Sequence, residues 1–246
     1  MLAKIKPTSG FSYFFHLLLV LIIPIAVYIL VTLNFIQLAL SIIVLSKWRM
    51  FAVKPRFWAA NIRANAVDLM VGISIVAFMT QTDSSLIRLL WVTIYGFWLL
   101  VIKPSSNIPI VTTQAFIAQL FALMALYLVW ANAPLYALTI LTGLFCYLAA
   151  RHFLDAFEEP YSRLLAFSWA YFGGALAWLF SHWLLYYHRI SLPAILLSSL
   201  GYGLALLYYL DHFDKLTLLL KRQIIFVIFA VVIVLLLFSD WGDKLV

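Results

Sequence analysis

Between Phe11 and Ser46 the chain carries no Asp, Glu, Lys or Arg over 36 residues. As a single α-helix that tract would run about 54 Å, against a bilayer hydrocarbon core of about 30 Å. The rest of the sequence has the same character. Of 246 residues, 66% are hydrophobic and 10% charged, where an ordinary soluble domain carries about half and about a quarter. With a mean hydropathy of +1.08, too few polar residues remain to cover a water-facing surface. Most of this surface must therefore face lipid. Soluble enzymes, secreted disulfide scaffolds, disordered chains and ordinary nucleic-acid-binding domains are excluded together. The single Cys146 removes any intramolecular disulfide framework.

The first tract is too long for one span, so a turn is expected near Thr32, Leu33 and Asn34. That gives spans over about 14–31, where Pro24 should introduce a kink, and 35–51. Charges, prolines and polar clusters bound seven more, over 64–81, 86–102, 110–131, 134–150, 164–187, 193–210 and 223–238. Pro134 and Pro193 begin their spans, where the missing N–H has no helical partner in any case. Lys4 and Lys6 precede an apolar run longer than a secretory signal's core, which points to a retained anchor. The expected fold is an all-α polytopic bundle of about nine spans, with residues 1–246 as one integral domain.

Orientation follows from the cations, because Lys and Arg in short loops stay on the cytoplasmic side. With the N-terminus inside and nine alternating spans, thirteen basic residues fall inside; only Arg88, Arg189 and Lys244 fall outside. The C-terminus is then extracytoplasmic. The formal charge of +7 faces the cytoplasm, so the basic balance reflects membrane orientation and not affinity for nucleic acid.

Three regions combine residues that could act chemically. The first mixes Lys47, Trp48, Arg49, Phe51, Lys54, Arg56, Phe57 and Trp58 between two spans. Cations there can meet lipid phosphates while the rings sink into the headgroup boundary, so Lys47, Trp48, Arg49, Lys54, Arg56 and Trp58 are the expected lipid contacts. The alternative is a generic cytoplasmic loop. Anionic headgroups are the expected partner, with a protein at the basic face as a further possibility.

The second region is His152, Asp155, Glu158 and Glu159, joined on the same side of the membrane by His212. If the sixth span continues as helix to Glu159, then His152, Asp155 and Glu159 share one face. Such groups can bind a divalent metal or act as acid and base on a lipid or peptide. The spacing matches no named metal motif, so neither metal nor cofactor is specified. Pairing with Arg151, Arg163 and Lys215 at a solvated helix end is the structural alternative.

Within it, Glu158-Glu159-Pro160-Tyr161-Ser162-Arg163 resembles the E-E-x-x-x-R signature of the CAAX-prenyl protease and bacteriocin-processing family of intramembrane glutamate proteases. That resemblance implies histidines completing the site from F-x-x-x-H and H-x-x-x-N/D motifs. Here the nearest candidate to the first is Trp178 to His182, 23 residues beyond Glu159, or about 35 Å along a helix. No histidine precedes Asn or Asp at the second spacing, which leaves His212 as the one able to join by topology.

On the outer side, His182, Trp183, Tyr186, Tyr187, His188 and Arg189, with Trp130 and Trp241, read as an aromatic belt. His16 reads as interfacial. Ala170, Gly173, Gly174 and Ala177 form small-x-x-x-small pairs, and Ser198, Ser199, Gly201 and Gly203 put small residues on the next span. Those two spans, the seventh and eighth, are expected to touch backbone to backbone. Every charged side chain falls near a span end, so proton relays and gating charges lose weight. A transporter using neutral groups such as Gln119, Thr139, Thr142 and Ser168 stays open.

Two functional readings result. One is a non-enzymatic component of the cytoplasmic membrane, either a carrier for a small or lipidic solute or a scaffold subunit. The other is a membrane-embedded hydrolase acting on lipid or peptide through His152, Asp155, Glu158, Glu159 and His212.

Overall fold

The structure is a computed structural model in which residues 11–183, 186–187 and 190–239 are described. Side chains are described for these residues except 11–16, 181, 183, 186, 187 and 190. The helices are α1 (Phe11–Thr32), α2 (Ile36–Leu45), α3 (Trp58–Ala64), α4 (Ala66–Thr80), α5 (Ser85–Phe97), α6 (Ile108–Val129), α7 (Leu135–Asp155), α8 (Ser162–Trp183), α9 (Leu192–His212) and α10 (Leu218–Leu237). A π-helical turn over Trp98–Ile102 continues α5. Strands β1 (Tyr186–Tyr187) and β2 (Ile190–Ser191) pair antiparallel just before α9.

Among the described residues six helices are long and apolar enough to cross a membrane, so the chain is a multi-pass membrane protein. They are α5 with its π turn, α6, α7, α8, α9 and α10. A seventh results if Pro55–Ala64 and Ala66–Thr80, bent by 65°, form one broken span. Nine spans were expected, and every expected position does hold a helix. The three helices outside that count lie at the N-terminal end: α1, in which Leu17–Thr32 is the stretch with described side chains, α2, which has only 10 residues, a rise of about 15 Å, and α4, which has 15. Beyond Leu45 the chain turns through Ser46 and Lys47 into a 3₁₀ turn, so the helix ends where the charge-free tract ends and does not continue to Phe51. Pro24 lies inside α1 without ending it.

The turn expected at Asn34 is present. Asn34 sits at φ 62°, its N–H donates to Val31 O at 3.1 Å, and the next N–H, of Phe35, reaches back to Leu30 O at 2.8 Å. This is a Schellman closure, which satisfies the last carbonyls of a helix. The ends of α7 and α9 use the same device with Glu158 (φ 54°) and Asp214 (φ 53°) in the left-handed position where glycine is usual.

The contacts group the chain into two compact units: residues up to Asn65 with Ile75–Ser106, and Ala66–Ser74 with Asn107 onward. In the first, α1 packs on α2 and α5, and Gly96 faces Leu21. In the second, α7 and α8 make the most extensive contact, followed by α6 with α7 and with α9. A Cβ on Gly143 would lie 3.1 Å from Ala170 O, and one on Gly174 would lie 3.4 Å from Thr139 O. The close backbone approach expected between α8 and α9 therefore falls between α7 and α8. The α8 stripe has two sides: Gly174 meets α7 backbone, while Gly173 meets Cys146 of α7 and, more loosely, Leu197 of α9.

Candidate functional site

The second unit holds a cavity of about 410 Å³ among α6, α7, α8 and α9, within the range of about 300–1,000 Å³ usual for small-molecule sites. Each wall is one helical face. Thr112, Ala115, Phe116 and Gln119 recur on α6 at the spacing i, i+3, i+4, i+7. Leu165, Ser168, Trp169 and Phe172 repeat that spacing on α8, as do Ser198, Gly201, Tyr202 and Ala205 on α9, extended by Tyr208. Gly201 lets α9 close on its neighbours, since a Cβ there would lie 3.0 Å from the Trp169 ring and 3.3 Å from Gln119 Nε2.

No charged residue lines the cavity. Its polar groups are hydroxyls and one amide, and most are engaged. Gln119, 4% exposed, donates from Nε2 to Leu197 O at 3.0 Å and accepts from Trp169 Nε1 at 3.1 Å. That amide ties α6 to α8 and α9. Thr112 donates to Ile108 O. Among the buried groups Ser198 is the exception: it is 2% exposed and its hydroxyl has no hydrogen-bond partner. Leu165, Phe172, Tyr202 and Leu204 on α8 and α9 are lining residues that are also exposed. The cavity is therefore open at the surface of the second unit on its α8 and α9 side.

Tyr208, at the far end of the cavity, donates its hydroxyl to Glu159 Oε2. Glu159 also accepts the backbone N–H of Tyr161 at 3.4 Å. His212, one turn beyond, stacks on Tyr208 at 6.1 Å and meets the Phe157 ring edge-on at 5.1 Å. Two members of the sequence-derived set, Glu159 and His212, thus gather around Tyr208. The other residues lie elsewhere. α7 ends at Asp155 rather than continuing to Glu159, and the left-handed residue Glu158, itself exposed, turns the chain. Glu159 therefore leaves the face carrying His152 and Asp155. His152 Nε2 bonds Gln114 Oε1 of α6 at 3.0 Å, with Asp68 within electrostatic reach. Asp155 pairs with Arg151 at 2.8 Å, and Arg151 also donates to Ser162 at 2.7 Å, which ties the end of α7 to the start of α8. Among the described residues no group of three or more His, Cys, Asp and Glu could hold a metal ion.

In the first unit, Lys47 to Trp58 form two 3₁₀ turns, Trp48–Met50 and Pro55–Phe57. Trp58 Nε1 donates to Val53 O at 3.0 Å, Phe51 meets Trp58 edge to face at 5.6 Å, and the Arg56 guanidinium lies over Phe57 at 4.6 Å. Trp48, Arg49, Lys54, Arg56 and Trp58 are exposed and Lys47 is half-buried. Of the expected outer belt, Trp130 is exposed, and His182 bonds Trp178 O at 2.8 Å. Trp241, His188 and Arg189 lie outside the described residues, as do the side chains of His16, Trp183, Tyr186 and Tyr187.

Gln119 and Ser168, singled out as neutral intramembrane groups, do line the cavity. Gln114, Trp169 and Tyr208 were missed. Their signal is the recurrence of uncharged polar and small residues at helical spacing inside otherwise apolar tracts.

Fold and cavity together define a multi-pass helical membrane protein with a cavity that has no charged lining residue. No known protein family, curated protein or solved structure matches the chain.

Proposed function

We propose that this protein is a non-enzymatic component of the cytoplasmic membrane that takes up a lipidic solute between α6, α7, α8 and α9. One observation carries this reading: a cavity of about 410 Å³ with no charged lining residue, walled by exposed apolar side chains where α8 and α9 face lipid. A solute arriving through the bilayer reaches such a site without crossing water. The hydrolase reading has less support, because Asp155 is held by Arg151, His152 faces Gln114, and Glu159 is engaged by Tyr208.

In this reading the N-terminus, the elbow from Lys47 to Trp58 and the ends of α7 and α9 face the cytoplasm, following the thirteen-to-three division of basic residues. Lys47, Arg49, Lys54 and Arg56 rest on anionic headgroups, with Trp48 and Trp58 in the boundary. Reporter fusions within 54–61 and after Val246 should report opposite sides; the same side would reject this orientation.

The cavity is tested with purified protein and a long-chain alcohol brominated along its chain, which quenches tryptophan on contact. Saturable quenching that disappears in Trp169→Phe and in Ala205→Phe, which fills the cavity, is expected. Quenching unchanged by both substitutions would reject the cavity as the binding site.

A further inference from the structure

We infer that the elbow, extended through α3 to Arg63, is a selective site for a lipid whose head carries two phosphates, of the diphosphatidylglycerol class, held by Arg49, Arg56 and Arg63 with Lys54. This rests on the reading of the elbow as a contact with anionic headgroups and specifies the head.

The first 67 residues hold no Asp or Glu, so the elbow carries no acid of its own. Arg49, Lys54, Arg56 and Arg63 are all exposed, and none makes an ion pair among the described residues. Where an acid is at hand the cation takes it, as Arg151 takes Asp155 at 2.8 Å. The elbow's cations are therefore left for a partner outside the chain.

The chain also holds them together. Asn61 Nδ2 donates to Met50 O at 3.3 Å, which brings the residue after Arg49 against the residue two before Arg63. Between them, Trp58 Nε1 donates to Val53 O at 3.0 Å and the Trp58 ring meets Phe51 edge to face, closing the turn that carries Lys54 and Arg56. Met50 is buried beneath. Cations fixed on such a frame repel one another and cannot spread apart to relieve it. A head with one phosphate supplies one negative charge against four positive ones, whereas two phosphates on one molecule supply twice that, and the second binds at the high effective concentration set by the first. Three of the four cations are arginines, whose planar forks fit phosphate oxygens in pairs. Arg56 already lies over the Phe57 ring at 4.6 Å, a stack that leaves its in-plane N–H groups free.

The occupant is a lipid because Trp48, Phe51, Val53, Phe57 and Trp58 are exposed beside the cations. Rings and cations mixed in this way suit the boundary between headgroups and acyl chains, where basic clusters meet lipid phosphates. A soluble diphosphate would leave those rings in water.

The test is native mass spectrometry of the purified full-length protein in detergent, titrated with tetraoleoyl cardiolipin, dioleoylphosphatidylglycerol or dioleoylphosphatidylcholine at equal phosphate concentration. The wild type is expected to retain cardiolipin roughly 5-fold more than phosphatidylglycerol, the factor of one further cation engaged by phosphate. Joint substitution Arg49→Gln, Arg56→Gln and Arg63→Gln should remove that preference. Lys221→Gln with Arg222→Gln, which neutralises two exposed cations at the start of α10, should leave it unchanged. Equal retention of the two anionic lipids by the wild type would overturn the two-phosphate head and leave the contact with anionic headgroups standing. Retention of neither above phosphatidylcholine would overturn that contact as well. A preference that survives the triple substitution, or falls as far in the Lys221 and Arg222 variant, would overturn the elbow as the site. Displacement of cardiolipin by an equal concentration of inorganic pyrophosphate would overturn a lipid as the occupant.

Discussion

α6 and α10 are both apolar and of nearly equal length, yet their surroundings are opposite. Half of the most apolar stretch of α6 is buried, against 6% of that of α10. α10 is the more apolar of the two, with Phe226, Val227, Phe229 and Leu237 all exposed. α6 holds Thr112, Gln114 and Gln119 inside the protein. In lipid the outer surface gains nothing from polarity, while interior helices are joined by packing and by side-chain hydrogen bonds. Polar residues in an apolar tract therefore mark the buried helix, the reverse of the soluble rule. The same residues that bind α6 to its neighbours, above all Gln119, also wall the cavity.

The largest effect is expected where backbones crowd the interior. Gly173→Leu would place a Cβ 2.7 Å from Cys146 Sγ, and overpacking of this kind costs about 3 kcal/mol. A melting curve in detergent should fall sharply. Cys146, fully buried and the sole cysteine, should turn from inert to reactive with a membrane-permeant maleimide. Unaltered melting and an unreactive thiol would mean that α7 and α8 do not meet there.

Next is the contrast between the two helices. Gln119→Leu removes the donor to Leu197 O and strands the Trp169 N–H, an expected loss of about 2 kcal/mol. Phe229→Ala on α10 deletes a larger apolar group, 64% exposed, and should stay within about 0.5 kcal/mol. Comparable losses in unfolding titrations of the two variants would break the comparison.

A smaller effect, of opposite sign, is expected at the end of α7. Glu158 occupies φ 54°, a region costly for residues with a Cβ. Glu158→Gly should raise stability by about 0.5–1 kcal/mol, net of the glycine's greater freedom when unfolded. A loss would show that the Glu158 side chain contributes more than its backbone costs.

Much of the fold was legible in the sequence because lipid imposes a simple rule of length and apolarity. The positions of all nine expected helices and the turn at Asn34 followed from it. The shortness of α2 did not, because it depends on how Ser46 to Met50 fold locally and not on hydropathy. For the site, Gln119 and Ser168 were visible as neutral polar groups at mid-span. The expected single face of His152, Asp155 and Glu159 assumed that α7 continues, and the non-glycine Schellman ending at Glu158 carried no residue-type signal. Ser198 was read as a small packing residue. Its unpaired hydroxyl is a tertiary fact that residue type does not announce.

Entry of lipophiles between α8 and α9 is the step on which the proposed function depends. The decisive measurement is photolabelling of the protein in lipid nanodiscs with a long-chain alcohol carrying a diazirine, mapped by peptide mass spectrometry. Adducts are expected on Phe116 to Gln119 of α6 and on Gly201 to Ala205 of α9, lost in Ala205→Phe while labelling of the exposed face of α10 persists. Adducts confined to α10 and other outer faces, with the pattern unchanged in Ala205→Phe, would contradict this entry.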